Sequence, residues 1–94
     1  MNSLVVKPLA KRVTFDGDTF SVHLMDGRVL SVPLAYFPRL LNAAPDKREK
    51  YGISGGGTGL HWDELDEDIS VEHLLLGIGD QTKHPPQPKI KQTG

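Results

Sequence analysis

The first third of the chain alternates apolar and polar positions. Val13 and Phe15 stand two residues apart, Phe20, Val22 and Leu24 share one face of the next run, and Leu30, Val32 and Leu34 repeat the pattern. A period of two belongs to a strand with one buried face. Asp16-Gly17-Asp18 and Asp26-Gly27 interrupt the runs with turn chemistry, and an Asp-Gly pair tolerates the positive φ of a tight hairpin. These segments predict an antiparallel β-meander. Ser21, His23 and Met25 lie on its opposite face, and three strands leave two edges. A homodimer through an edge or through that face is therefore expected.

After Pro33 the period lengthens. Tyr36, Phe37, Leu40 and Leu41 have the spacing of a short helix, with Pro38 in its first turn and Pro45 ending it. Asp46-Lys47-Arg48-Glu49-Lys50 is charged all round and reads as an exposed turn or a second short helix capped by Asp46. Tyr51 and Ile53 return to the core. The run Ser-Gly-Gly-Gly-Thr-Gly at 54–59 has neither P-loop nor dinucleotide-binding spacing, so it reads as a flexible connector and not a phosphate cradle. Leu60-His61-Trp62 predicts a short strand, with Trp62 buried against Phe20, Val22, Leu40 and Leu75 because so small a core needs its largest apolar group. Asp66-Glu67-Asp68 begins a turn. Ser70 then caps a last helix whose apolar face is Val71, Leu74, Leu75 and Ile78, with Gly77 at its end. The expected fold class is α+β: a small antiparallel meander of about three to four strands packed with two or three short helices. One domain spans residues 1–79, and a flexible tail containing proline and lysine follows at 80–94.

Composition narrows the chemistry. The chain has 94 residues, 37% hydrophobic and 24% charged, and no cysteine. A disulfide framework, a thiolate nucleophile and a cysteine zinc site are excluded. No apolar run approaches the roughly 18 residues of a membrane span, and no charged-then-apolar leader opens the chain, so a cytoplasmic protein is expected. A net charge of −1 argues against broad electrostatic binding of nucleic acid. That charge is unevenly placed. Residues 1–58 carry a balance of +3, whereas residues 59–77 hold six acidic side chains and no basic one.

Three constellations follow from that polarity. Asp63, Glu64, Glu67 and Glu72 form an acidic surface able to dock a small basic protein; Asp66 and Asp68 are set apart because a carboxylate before the last helix can cap backbone N–H groups. Lys7, Lys11, Arg12, Arg39, Lys47, Arg48 and Lys50 could serve a nucleic acid if they gather on one face. His61 with the neighbouring carboxylates is the weakest candidate, for a metal or a small catalytic site. Its spacing matches neither an EF-hand nor a His-Glu-x-x-His helix, and no cofactor is implied.

The order of features carries more than any one of them. The hairpin Phe-Asp-Gly-Asp-Thr-Phe-Ser-Val-His-Leu-Met-Asp-Gly-Arg, then Tyr36-Phe37-Pro38-Arg39-Leu40, then Trp62-x-x-Leu65-Asp66-Glu67-Asp68-Ile69 resembles the small bacterial family of domain of unknown function 2442, over residues 13–77. The triple glycine at Gly55–Gly57 and the Pro/Lys tail depart from the family core. The resemblance implies a small α+β unit. It also implies a gene often placed beside a small companion, as in toxin–antitoxin pairs, and in some members a following helix-turn-helix domain for which this chain has no room after Gly79. It carries over no catalytic residue. Together these readings lead to a non-enzymatic protein-interaction module, an antitoxin-like partner of a small basic protein. A nucleic-acid-binding regulator stands second, and a small enzyme or metal binder third.

Overall fold

The computed structural model describes residues 8–77 and 79. Two three-stranded antiparallel sheets share one core. The first comprises β1 (Ala10–Asp16), β2 (Thr19–Leu24) and β3 (Val29–Pro33), in the order β1-β2-β3. The second comprises β4 (Gly52–Ser54), β5 (Gly59–Trp62) and β6 (Glu67–Ser70), in the order β4-β5-β6. A 3-10 turn (Leu34–Tyr36), α1 (Pro38–Leu41) and α2 (Pro45–Arg48) lie between the sheets in sequence, and α3 (Val71–Leu75) follows the second.

The first sheet forms as the alternation predicts. Val13 pairs with Val22 and Phe20 with Val32, so their side chains share the buried face. The opposite face is tied by Ser21 Oγ to Ser31 Oγ and Thr14 Oγ1 to His23 Nε2, each at 3.0 Å. The core then joins both sheets and the helices: Phe20, Val22 and Leu24 meet Phe37, Leu40, Leu60, Trp62, Val71 and Leu74 in one cluster. The Phe20 and Phe37 rings meet edge to face at 6.0 Å, a geometry their quadrupoles favour.

The α+β architecture is as expected, and the second sheet adds to it. Leu60-His61-Trp62 is a strand, but β4 and β6 flank it as well. The turn expected at Asp66-Glu67-Asp68 lies earlier, at residues 63–66, and Glu67 already opens β6. Asp46 sits in the first turn of α2, while Ala44 is the N-cap and Pro45 opens the helix. Ser70 does cap α3, its hydroxyl accepting from His73 N–H at 3.4 Å, and Gly77 follows with φ +79°. Leu75 leaves the expected apolar face: it is 38% exposed and stands outside the core cluster that holds Trp62. Ile78 and the 80–94 tail lie outside the described residues.

The glycine run is not a loose connector. It is the tight turn between β4 and β5, and Gly57 is buried with φ +118°. A Cβ there would stand 2.9 Å from the Ala10 carbonyl oxygen. Glycine is required because the turn packs directly on the backbone of β1.

Candidate functional site

The acidic segment is built by the β5–β6 hairpin. Leu60 and Trp62 point inward from β5, leaving Gly59 and His61 on the outer face. In β6, Glu67 and Ile69 point inward while Asp68 and Ser70 face out. The register sets Trp62 opposite Glu67 and His61 opposite Asp68. Gly52 stands across from His61, where a Cβ would lie 2.5 Å from His61 Nε2, so the missing side chain makes room for the imidazole. The turn closes with Asp66 in the left-handed region at φ +53°, which aspartate tolerates better than most residues.

This corner is locked to the helices by hydrogen bonds from side chains to backbone. Trp62 Nε1 donates to the Arg48 carbonyl at 2.8 Å. Arg48 Nε donates to Leu40 O at 2.7 Å, and its Nη2 to Leu41 O at 2.8 Å. Those carbonyls lie at the end of α1, where helix carbonyls run short of partners; Leu40 O also accepts from Ala43 N–H at 3.2 Å. Arg39 donates to the Asp66 carbonyl. Lys47 pairs with Glu64, and Lys50 approaches the same carboxylate at 3.5 Å. The bond and charge of Lys47, then the charge of Lys50, hold Glu64 below the usual glutamate range.

The six acidic side chains of this segment are therefore not equivalent. Glu67 is 3% exposed on the core side of β6, so it does not belong to a docking surface as expected from sequence. Glu64 is outward, but two lysines of the same chain take up its charge. Asp63, Asp68 and Glu72 are exposed, and among the described residues none of the three pairs with lysine or arginine. Asp63 lies 4.0 Å from His61 Nε2.

The other two constellations fare differently. Arg39, Lys47, Arg48 and Lys50 are engaged within the chain, so they do not gather as a free basic face. Lys11 and Arg12 are exposed on β1, and Lys7 lies outside the described residues. Among the described residues no three His, Asp or Glu side chains converge to hold a metal ion. Beside β6 the structure opens a groove of about 510 Å³, with Phe37, Thr58, Asp68, Ile69, Ser70 and His73 in its lining. Sequence reading missed this groove. Its available signal was the period-two pattern Glu67-Asp68-Ile69-Ser70, which aims Asp68 and Ser70 outward.

A family model for a protein of unknown function, DUF2442, matches residues 10–80. The chain belongs to this family. No curated protein matches it. Among solved structures it is similar to a crystal structure of a protein of unknown function from Rhodospirillum rubrum, with 31% identity and a TM-score of 0.71 over 81% of this chain and 94% of that one. It is also similar in fold to the solution structure of an uncharacterized protein from Chromobacterium violaceum, with 23% identity and a TM-score of 0.68 over 78% of this chain and 69% of that one. Among the described residues, no helix is long and apolar enough to cross a membrane.

Proposed function

We propose that this family member is a non-enzymatic protein-interaction module, the antitoxin-like partner of a small basic protein, and that it presents Asp63, Asp68 and Glu72 to that partner. One observation supports the reading. Among the described residues, Lys47 and Lys50 are spent on Glu64 and Arg48 on helix carbonyls, while these three carboxylates face solvent and pair with no lysine or arginine. Unpaired surface carboxylates of one sign steer a basic partner and set its rate of arrival.

The test uses the full chain as bait in its own host, then measures association of the captured protein with wild type and with a triple variant, Asp63→Asn, Asp68→Asn and Glu72→Gln. None of the three side chains is in the core, so the fold should hold. The expected result is a slower on-rate and a flatter salt dependence. An unchanged on-rate at low salt would overturn the reading. Tighter binding of the variant to DNA or RNA would favour a nucleic-acid role instead, since removing acids raises the net positive charge.

A further inference from the structure

We propose that the outer edge of β3 is a self-association surface, on which a second copy of this chain pairs antiparallel across a two-fold axis to make a continuous six-stranded sheet. The argument begins with backbone bookkeeping. Leu24 N–H donates to Arg28 O and Leu34 N–H to Asp18 O, both at 2.8 Å, and the register between them sets Val22 opposite Leu30 and Phe20 opposite Val32. Hydrogen-bonded pairs alternate along an antiparallel ladder. Arg28, Leu30, Val32 and Leu34 therefore turn their backbone groups to β2. The N–H and C=O of Val29 and Ser31, with the C=O of Pro33, point away from the sheet.

The other edge of the same sheet is covered. Val13 N–H of β1 donates to Tyr51 Oη at 3.0 Å, and Gly57 packs on the backbone of Ala10. Nothing comparable covers β3 among the described residues. Natural edge strands are usually blunted by charge, proline or a bulge, yet Val29, Leu30, Ser31 and Val32 carry no charge and the one proline, Pro33, stands only at the end of the strand.

The edge is self-complementary in one register. With Ser31 on the two-fold axis, each Ser31 N–H meets the Ser31 carbonyl of the other copy, and each Val29 N–H meets the other copy's Pro33 carbonyl. Pro33, which has no N–H, serves only as an acceptor at the rim. Val29 then faces Pro33 of the second copy on the solvent side, and Leu30 faces its Val32 on the core side. An uncharged strand pairs with its own copy without like-charge repulsion, whereas it offers nothing to the basic partner inferred for the acidic hairpin.

Area supports the same occupant. A five-residue edge is only about 17 Å long, while a standard interface buries about 800 Å² per partner. The remainder is at hand. Of the seven large hydrophobics exposed among the described residues, Val29 (54%) lies on β3 itself and Tyr36 (46%) lines a groove beside it. That groove, of about 180 Å³, is lined in part by Leu30, Pro33, Tyr36, Leu74 and Gly77.

Because the chain has no cysteine, a single Ser31→Cys variant gives a clean readout. Directly opposed residues in a hydrogen-bonded antiparallel pair have Cα atoms about 5.5 Å apart, within disulfide range. Mild oxidation should give a covalent dimer of Ser31→Cys and leave an Arg12→Cys control on β1 monomeric. Sedimentation equilibrium of the wild type should show a concentration-dependent dimer. Ser31→Pro, which removes an outward N–H and spares the bonds to β2, should abolish it. Val29→Lys should do the same should the proline variant fail to fold. A wild type that stays monomeric at millimolar concentration overturns the proposal. Fast amide exchange at Ser31 would then mean an edge left open, and protection there would mean that the chain's own residues 80–94 cover it. Equal crosslinking through Arg12→Cys would overturn it as well.

Discussion

The two meanders are held together by different means. β1–β3 relies on periodicity: an apolar residue at every second position beyond the register shift at Ala10–Arg12, Asp-Gly turn chemistry between strands, and a polar face closed by hydroxyl contacts. β4–β6 has strands of three and four residues, too short to stand alone. Its cohesion comes from outside: Trp62 bonded to the Arg48 carbonyl, Tyr51 bonded to Val13 N–H, and Gly57 seated on β1. The first sheet is a scaffold that local sequence specifies. The second is assembled on that scaffold by a few long-range contacts, and it is the one that carries the acidic surface. Short strands fixed by single contacts can be disturbed one contact at a time.

The largest effect expected from breaking that dependence comes from Trp62→Ala. Trp62 is 1% exposed and lies 6.2 Å from the Tyr51 ring, centroid to centroid. The substitution should cost about 3–5 kcal/mol, read by chemical denaturation. Native-state hydrogen exchange should show β4–β6 losing protection before β1–β3. If both sheets lose protection together, they form one cooperative unit and the contrast drawn here fails.

That contrast also explains what could be read from the residues alone. The first meander, the capped last helix and the buried Trp62 were legible because period, cap chemistry and size are local signals. Family membership was legible from the order of motifs. β4 and β6 were not, since Gly52–Ser54 offers one exposed isoleucine and no alternation, and Glu67 resembles its acidic neighbours until its register opposite Trp62 is known. The same holds for the basic residues. No local pattern announces that Arg48 will bind the end of α1, or that Lys47 will neutralise Glu64. Leu75 was misplaced because it is the last residue of the five-residue α3, where it stands exposed beside Leu76.

Arg48→Met keeps an apolar stem but removes the donors to Leu40 O and Leu41 O. Two charge-assisted bonds to carbonyls at the end of α1 are lost, but Leu40 O keeps its bond from Ala43 N–H; with water partly replacing the other, the loss should be about 1.5 kcal/mol. Arg48→Lys should recover little, since an ammonium cannot reproduce the fork that spans both carbonyls. A thermal melt in which lysine restores full stability would show that charge alone matters at this site.

The glycine turn gives a finer comparison. Gly57→Ala must place a methyl 2.9 Å from Ala10 O at a φ of +118°, and a strained position of this kind costs about 1–3 kcal/mol. Gly56 also has positive φ, but nothing lies within 4 Å of a Cβ there. Gly56→Ala should cost about 1 kcal/mol, the low end of the left-handed penalty alone. Equal losses for the two would mean that backbone conformation alone sets the requirement, and that contact between the sheets at Gly57 contributes nothing.

The smallest effect is electrostatic, and it reads both sheets in one titration. On β2, reduced contact with water, then Arg12 and Lys11, holds the His23 imidazole below its ordinary value. At the second sheet, Lys47 and then Lys50 hold the Glu64 carboxyl below its own. Both shifts are depressions. Each contribution is therefore complete above the group's ordinary pKa and is lost as pH falls through the folded value. Acidification should weaken the first sheet's contribution at mildly acidic pH, beginning below the usual histidine range. The second sheet's should follow only at lower pH, below the usual glutamate range. Added salt should shrink the Glu64 component, because that pair is exposed to solvent. Glu64→Gln should delete the low-pH component and leave the His23 component in place, as followed by carboxyl and imidazole NMR signals. If Glu64 instead titrates at its ordinary value in low salt, Lys47 and Lys50 are not spent on it. Those lysines would then be free cations beside Asp63, and the acidic hairpin would no longer be a surface of one sign.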